Sequence, residues 1–214
     1  MARIAIQLKK TSNIASKQTG MKKRTIFNAL MFLLILFMGF ILYKQIQEPI
    51  AFQQTKNERE KAVIDRLVKI RKVQEAYRGV TGKFASSFEA LTETLTNGRF
   101  VIVQVNGDRD DVNNQNITYD TSYVAAIDSV KALGIDLNGI DKVPFGDGAS
   151  FTIEADTVTY QSALVDVVQV GVTYETFMGD FKAARFKKYD EKYDPKKKIK
   201  FGDLSKPLLT GSWE

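Results

Sequence analysis

One uninterrupted apolar run constrains this chain more than any other feature. Residues 26–43 read IFNALMFLLILFMGFILY, eighteen positions without a charge and with only Asn28 plainly polar. A helix rises about 1.5 Å per residue, so a run of this length just crosses the hydrocarbon core of a bilayer. We therefore predict a transmembrane helix over residues 25–44. The side chains assigned to this anchor are Ile26, Phe27, Leu30, Phe32, Leu33, Leu34, Ile35, Leu36, Phe37, Phe40, Ile41, Leu42 and Tyr43.

Two other structures could carry such a run. A buried core helix normally has a polar face within eighteen residues, and this run has none. A cleaved signal peptide has an apolar core of about 7 to 15 residues followed by small residues at the cleavage site. The residues after the run, KQIQEPIAF, contain no such site. The sequence favours an uncleaved signal anchor.

The charge distribution predicts the orientation of the anchor. Seven bases and no acid precede the run, and the first acidic residue is Glu48. Because positive charge stays on the cytoplasmic side, residues 1–24 should be a cytoplasmic basic tail and residues 45–214 an extracytoplasmic, periplasmic domain at the inner membrane. Residues 45–214 carry a formal charge of about −2, so the +6 of the whole chain belongs to the anchor region. No nucleic-acid partner is expected from it.

The absence of two residue types excludes much chemistry. The chain has no Cys and no His among its 214 residues. Disulfides, thiol nucleophiles, thiolate zinc sites, imidazole bases and the Ser-His-Asp triad are therefore excluded. No catalytic residue, no metal ligand and no cofactor is predicted, and the chain is not expected to be an enzyme.

A long amphipathic helix is predicted after the membrane. No Gly or Pro occurs from about Gln53 to Arg78, while Pro49 is interpreted as a break or a first-turn position at the membrane surface. Apolar residues recur at helical spacing and form one stripe. The stripe residues are Val63, Leu67, Ile70 and Tyr77. The stripe either packs on the following domain or pairs, over its first turns, with another subunit.

The remainder of the sequence is predicted to contain one short helix and several strands. Gly79 and Gly82 should turn the chain, and Ser86 with Glu89 could form a capping box for a helix that ends near Asn97-Gly98. Segments 99–105, 149–155, 157–160 and 163–174 are β-rich, whereas 123–133 is ambiguous between helix and strand. An antiparallel sheet of about four strands against the long helix gives an α+β fold.

This arrangement resembles that of type IV pilins and type II secretion pseudopilins. The resemblance covers roughly residues 26–100: an apolar helix continues into a charged amphipathic helix that ends in an aromatic residue, followed by a Gly-basic-aromatic turn and a short helix with a Leu. The matching positions are Tyr77, Gly82, Lys83, Phe84 and Leu91. The family's processing site is a Gly followed by an apolar run with Glu at its fifth position, and Gly20-Met21 does not match it. The resemblance implies a pilin-like fold and a secretion or pilus-like assembly.

More loosely, the whole chain resembles single-pass envelope proteins of Bacteroidota, in part through its Trp213-Glu214 ending.

Two further segments carry candidate binding chemistry. Asp108 to Asn114 concentrates oxygen ligands at the alternate positions that Ca²⁺ prefers, but it lacks the residue order and the closing Glu of an EF-hand loop. A solvated hairpin loop is the favoured interpretation, because Asp and Asn are good turn residues.

Residues 181–201 interleave nine bases and three acids with aromatic residues. Such a segment could dock an acidic protein, an anionic headgroup or a cell-wall polymer, or it could serve solubility alone. The residues proposed for this partner surface are Lys187, Lys188, Tyr189, Tyr193, Lys196, Lys197 and Lys198.

From these features we predict a non-catalytic, membrane-anchored structural subunit of an envelope secretion or pilus-like machine. Its expected partners are other proteins of that machine and the lipid bilayer, in a homo- or hetero-oligomer. The alternative is a membrane-tethered periplasmic sensor or ligand-binding module, which a concave pocket with convergent polar groups would indicate.

Overall fold

The chain is α+β, with a long N-terminal helix. The computed structural model describes residues 2–106 and 118–214, with side chains described for residues 23–104 and 118–214. Helix α1 extends over Ala2–Thr81, and the chain divides into two compact units, Met1–Ala51 and Phe52–Glu214. The predicted interruption at Pro49 is wrong, because Pro49 lies inside α1. An interior proline removes one helical hydrogen bond, a cost of about 3 kcal/mol that this helix accommodates.

The apolar run lies in the first unit. It belongs to the one helix of the described chain that is long and apolar enough to cross a membrane. Its assigned anchor side chains are between 40% and 69% exposed within the protein, from Ile41 to Ile26. An apolar surface of this length, uncovered by the protein itself, is compatible with a transmembrane anchor.

The amphipathic stripe packs into the core of the second unit, as the first of the two alternatives predicts. Val63, Leu67 and Ile70 are fully buried, and Tyr77 is partly buried against the same core. The buried face extends in both directions beyond the stripe, to Phe52 near one end. This part of α1 is therefore the central element of its unit.

The turn after α1 differs in detail from the prediction. Gly79 remains helical, and Gly82 alone turns the chain, with φ +81° and its N–H donating to the carbonyl of Arg78 at 2.8 Å. Positive φ at this position favours glycine. Helix α2 covers Phe88–Asn97, and its N-cap is Ser87, which accepts from the N–H of Ala90 at 3.2 Å. The predicted capping box with Ser86 is therefore wrong by one residue.

The strands form two separate antiparallel sheets rather than one. Strands β1 (Arg99–Asn106) and β2 (Thr118–Ala125) make a two-stranded ribbon, which we call the hairpin. Strands β3 (Thr152–Tyr160), β4 (Ala163–Thr173) and β5 (Lys198–Gly202) make a three-stranded sheet in the order β3-β4-β5. The ambiguous segment divides at the end of β2, since helix α3 covers Ala126–Ala132.

The three-stranded sheet supplies the second layer of the core. Val168, Val170 and Val172 alternate along β4 and are buried with Phe201 of β5 in the cluster that also contains the α1 stripe. Alternate residues of a strand point to the same face, so β4 presents one apolar face to the core. Lys198, a residue of the proposed partner surface, begins strand β5.

The segments between β4 and β5 are helical turns. Helix α4 covers Tyr174–Phe177, and two 3₁₀ helices cover Gly179–Phe181 and Ala184–Tyr189. After β5 the chain folds back along this strand, where the N–H of Ser212 donates to the carbonyl of Lys200 at 2.8 Å. Arg71 of α1 then donates to the side chain of Glu214 at 2.8 Å, and this contact lowers the pKa of Glu214.

Candidate interaction surfaces

Seven aromatic side chains, including Phe52, pack together in one set. We call this set the aromatic cluster, and its members are Phe52, Tyr174, Phe177, Phe181, Phe186, Tyr189 and Tyr193. The ring of Phe52 stacks on that of Phe186 with 5.7 Å between centroids and meets Tyr193 edge-on at 5.1 Å. Offset and edge-on pairs stabilise beyond the area they bury, by about 0.5–1.5 kcal/mol each. The cluster holds the segment after β4 against the first turns of α1 in the second unit.

Polar contacts from α1 reinforce this packing. The ammonium of Lys56 donates to the Asp190 carboxylate at 2.6 Å, and the guanidinium of Arg59 donates to the carbonyl of Phe177 at 2.7 Å. The amide of Gln53 donates to the carbonyl of Tyr189 at 3.2 Å. These donors come from successive turns of one helix face. They fix the backbone of the segment as well as its rings.

The ionisable groups beneath this segment respond to burial and to Lys56. The hydrogen bond from Lys56 lowers the pKa of the Asp190 carboxyl. Burial raises the pKa of Tyr193 to about 12, with help from the charges of Asp194 and Glu175. Burial and the nearby charge of Glu60 also raise the pKa of Tyr174, whose hydroxyl donates to Glu60 at 3.1 Å. These groups serve structure at neutral pH, since the tyrosines stay neutral and Asp190 stays charged.

The structure separates the proposed partner surface into exposed cations and packed rings. Tyr193 is only 1% exposed, so its assignment to a partner surface is corrected: it belongs to the aromatic cluster. Tyr189 is half-buried in the same cluster. The five lysines of the set are exposed, namely Lys187, Lys188, Lys196, Lys197 and Lys198. The rings anchor this segment and the cations face outward.

The hairpin carries the second candidate surface. Its register pairs Val101 with Tyr123 and Val105 with Tyr119, which places these residues on one face of the ribbon. On this face Val101, Val103, Tyr119 and Tyr123 are between 51% and 65% exposed. On the opposite face only Phe100, at the base, packs against the core. A face rich in Val and Tyr, with the exposed Arg99 at its base, is covered by no other part of the chain that the structure describes.

The base of the hairpin depends on one close approach. A Cβ at Gly79 of α1 would lie 2.9 Å from the ring of Phe100, so glycine at this position lets the ring approach the helix closely. The N–H of Ala126 donates to the carbonyl of Gly98 at 3.0 Å and closes the same end of the ribbon. The hairpin is thus held at its base, and its exposed face extends from there. The β-rich sequence of residues 99–105 predicts strand β1, but it does not indicate this surface.

A third feature is an open groove between α2 and α3. It has a volume of about 560 Å³ and is lined by Thr92, Thr96, Lys131, Asp136 and Asn138, with apolar Ile127 and Leu137. Its mouth is wide, and the polar side chains come from both walls. This groove is the feature that the ligand-binding alternative would use.

No metal site emerges from the residues that the structure describes. Within those residues no group of three or more Asp or Glu side chains is placed to hold an ion. The candidate calcium segment, Asp108 to Asn114, lies outside the described residues. The strand before it is described up to Asn106. The expectation that the chain needs no metal or cofactor stays a prediction.

Comparisons with protein-family models, with curated proteins and with solved structures find no significant match. The similarity to the pilin arrangement therefore remains a prediction that rests on the residues given above. The coarse α+β architecture and the long apolar N-terminal helix are observed directly.

Proposed function

We propose that this chain is a non-catalytic, membrane-anchored structural subunit of an envelope assembly of the secretion or pilus-like kind. Its N-terminus is cytoplasmic, its anchor lies in the inner membrane, and the unit from Phe52 onward lies in the periplasm. The charge bias before residue 26 supports this orientation. The lack of Cys and His supports a structural rather than a catalytic role.

The observation that carries the proposal is the exposed hairpin. A two-stranded ribbon is marginally stable alone, and three or more strands or a packed face are normally needed. Here one face, with Val101, Val103 and Tyr123, is covered by no part of the described chain. Aromatic and β-branched side chains concentrated on such a surface are typical of a protein interface.

A strand of a neighbouring subunit fits the edge of β1 best. Natural proteins protect exposed strand edges with charges or prolines. Strand β1 has neither between Phe100 and Asn106, whereas β2 carries Asp120 near its middle. Addition of a strand to β1 would satisfy its outer backbone groups and extend the Val/Tyr face. We therefore assign β1 as the edge at which the neighbouring subunit pairs.

A site-specific photocrosslinker in the native membrane tests this assignment. It is placed at Val101 of the full chain, and the matched control is Thr159, an exposed strand residue of β3. After gentle detergent extraction, size analysis and mass spectrometry identify what is attached. We expect one recurrent envelope protein, in a large particle, crosslinked from Val101 and not from Thr159.

Two outcomes would contradict the structural-subunit proposal. One is recovery of the chain alone and monodisperse, without a crosslink from Val101. The other is equal crosslinking from both positions, which indicates random contact. A Val101→Lys variant provides a second reading, because a buried charge in the interface should remove the large particle while leaving the chain folded.

The alternative function is a membrane-tethered ligand-binding module, and the groove between α2 and α3 favours it. Thr92, Lys131 and Asn138 offer convergent donors and acceptors there. Screening the extracted full chain for small polar ligands by thermal shift tests this function. A ligand whose shift is lost on Lys131→Ala, with the crosslink from Val101 absent, would favour the module over the subunit.

A further inference from the structure

We propose that the segment from Lys182 to Lys188 binds the anionic phospholipid headgroups of the bilayer that holds the anchor. We call this segment the cationic turn. The inference rests on the proposed membrane anchor, and it assigns a lipid partner to a surface separate from the hairpin. The contact would hold the second unit at the membrane surface.

Chain length brings the cationic turn within reach of a bilayer. Only eight residues separate Tyr43, the last residue of the apolar run, from Phe52. Even fully extended, this stretch spans no more than about 32 Å. The cationic turn packs directly on Phe52 through Phe186, and Phe181, the residue before the turn, contacts the same ring. The length of this stretch therefore permits the cationic turn to reach the headgroups of a membrane that holds the anchor.

The cationic turn presents its charges outward on a fixed backbone. Lys182, Arg185, Lys187 and Lys188 are all exposed, although they lie in a segment whose rings are buried. The guanidinium of Arg185 lies over the Phe186 ring at 4.6 Å, and the ammonium of Lys188 lies over the Tyr189 ring at 4.4 Å. Long cationic side chains that rest on aromatic rings are common at membrane interfaces.

Neighbouring acids only partly offset this charge. Asp190 is held by Lys56 at 2.6 Å, so its negative charge is already paired by a residue of α1. Asp180 and Glu191 are the other acids flanking the turn, and both are exposed. Lys192, on the far side of Glu191, adds a fifth exposed base. The surface keeps an excess of positive charge, which complements phosphate groups.

Proximity favours a lipid over an acidic protein or a cell-wall polymer. A tethered ligand competes at an effective concentration that is commonly millimolar, whereas a diffusing partner must be supplied at its own concentration. The Lys ammonium binds a phosphate as a point charge, and the Arg guanidinium binds it as a planar fork. Each such side chain changes the equilibrium constant for binding to an anionic surface by about fivefold. Several cations on one rigid turn should act together.

The test uses the full chain reconstituted into vesicles. Because the chain has no cysteine, Ala184→Cys in the turn carries a single fluorophore, and Thr159→Cys provides a label on an exposed β3 position. One set of vesicles is phosphatidylcholine and the other contains phosphatidylglycerol, with the same fraction of a headgroup-quenching lipid in both. We expect stronger quenching at position 184 in the anionic vesicles, and no such difference at position 159.

Charge variants identify the residues responsible. Replacing Arg185, Lys187 and Lys188 together by glutamine should lower the equilibrium constant for docking by about fivefold for each cation. Quenching should then fall to the level seen with neutral vesicles. The difference between vesicles should also vanish near 1 M salt, where the screening length falls from about 10 Å to about 3 Å. A matched control removes the same charge elsewhere on the surface, through Lys72→Gln with Lys131→Gln and Lys206→Gln, and should leave quenching unchanged.

Equal quenching at position 184 in neutral and anionic vesicles would overturn the inference. An equal loss of quenching in the control variant would overturn it as well, because it would indicate a general charge effect. Flotation of the same vesicles keeps the two proposals separate. If the chain floats with neither set of vesicles, the membrane-anchor proposal is contradicted. If it floats with both but quenching does not depend on the lipid charge, only the headgroup-binding proposal is contradicted.

Discussion

The aromatic cluster and the hairpin contain similar apolar residues, which are buried in the cluster and exposed on the hairpin. Around Phe52, aromatic rings from segments more than 120 residues apart are buried, and donors on α1 satisfy the carbonyls between them. On the hairpin, Val101, Val103 and Tyr123 are as apolar but remain largely exposed. Stability of the second unit should therefore depend on the cluster. The hairpin should contribute little to folding and instead provide contacts to another molecule.

The sharpest way to break the comparison is Phe52→Ala. Phe52 is fully buried and contacts four other rings. Its truncation removes their contacts and leaves a cavity, so we expect the free energy of unfolding to fall by about 3–5 kcal/mol. Urea unfolding of the full chain in detergent, followed by circular dichroism, measures it. The matched control is Val103→Ala on the hairpin, for which we expect a change below about 0.5 kcal/mol. Similar losses for both variants would contradict the comparison.

A buried amide offers the next largest effect. Gln74 is fully buried, and its side chain accepts from the N–H of Ala85 at 2.9 Å and donates to the carbonyl of the same residue at 3.1 Å. Gln74→Leu leaves both backbone groups of Ala85 buried without partners, so we expect a loss of about 2–3 kcal/mol. Thermal unfolding measures this, with the exposed hairpin variant Gln104→Leu as control. A neutral Gln74→Leu would mean that the turn after α1 rearranges to satisfy Ala85.

The sequence predicts local features of this fold better than long-range ones. Helical periodicity depends only on neighbours along the chain, and Val63, Leu67 and Ile70, which share that spacing on α1, are buried. Tyr193 was assigned to a surface because its flanking residues are charged, and its burial depends on Phe52, which is 141 residues away in sequence. A pattern of mixed charges and rings does not specify such a partner.

Turn chemistry and sheet pairing limit the prediction in the same way. The two residues between β3 and β4, Gln161 and Ser162, have φ of 48° and 67°. These values suit a tight hairpin, but the residues are not the Gly, Asn or Asp that signal one. Strand β5 begins at Lys198, the last residue of a lysine run that Pro195 marks only as a loop or an extended segment. Likewise, the β-rich composition of residues 99–105 predicts a strand without indicating whether either of its faces is covered.

Loss of the charged contact between Lys56 and Asp190, which lies beneath the cationic turn, should have a smaller and pH-dependent effect on the free energy of unfolding. The side chains of Lys56 and Asp190 are mostly buried, and their hydrogen bond lowers the pKa of Asp190. A lowered carboxyl pKa stabilises the folded state above the unfolded value of 3.8. That stability is lost as the pH falls through the folded pKa. We expect Asp190→Asn to cost about 1 kcal/mol at pH 7 and progressively less as the pH falls through the lowered pKa.

Thermal melts of the wild type and of Asp190→Asn across this pH range measure the difference. Asp136→Asn is a suitable control, because Asp136 is exposed and accepts only from the N–H of Asn138, two residues along the chain. A difference between Asp190→Asn and wild type that persists at pH 2 would show that the lost stability is not electrostatic. Such a result would weaken the assignment of this contact as one that holds the cationic turn.

The smallest expected effect on stability tests the other half of the comparison most directly. Val101 and Tyr123 face each other on the exposed side of the hairpin. The double variant Val101→Thr with Tyr123→Thr keeps strand propensity and removes apolar surface, so the free energy of unfolding should change by less than about 0.5 kcal/mol. If this face binds a neighbouring subunit, however, the large particle from the native membrane should be lost. A particle of unchanged size would show that the exposed face serves no assembly, whereas a large loss of stability would show that it is packed within the free chain.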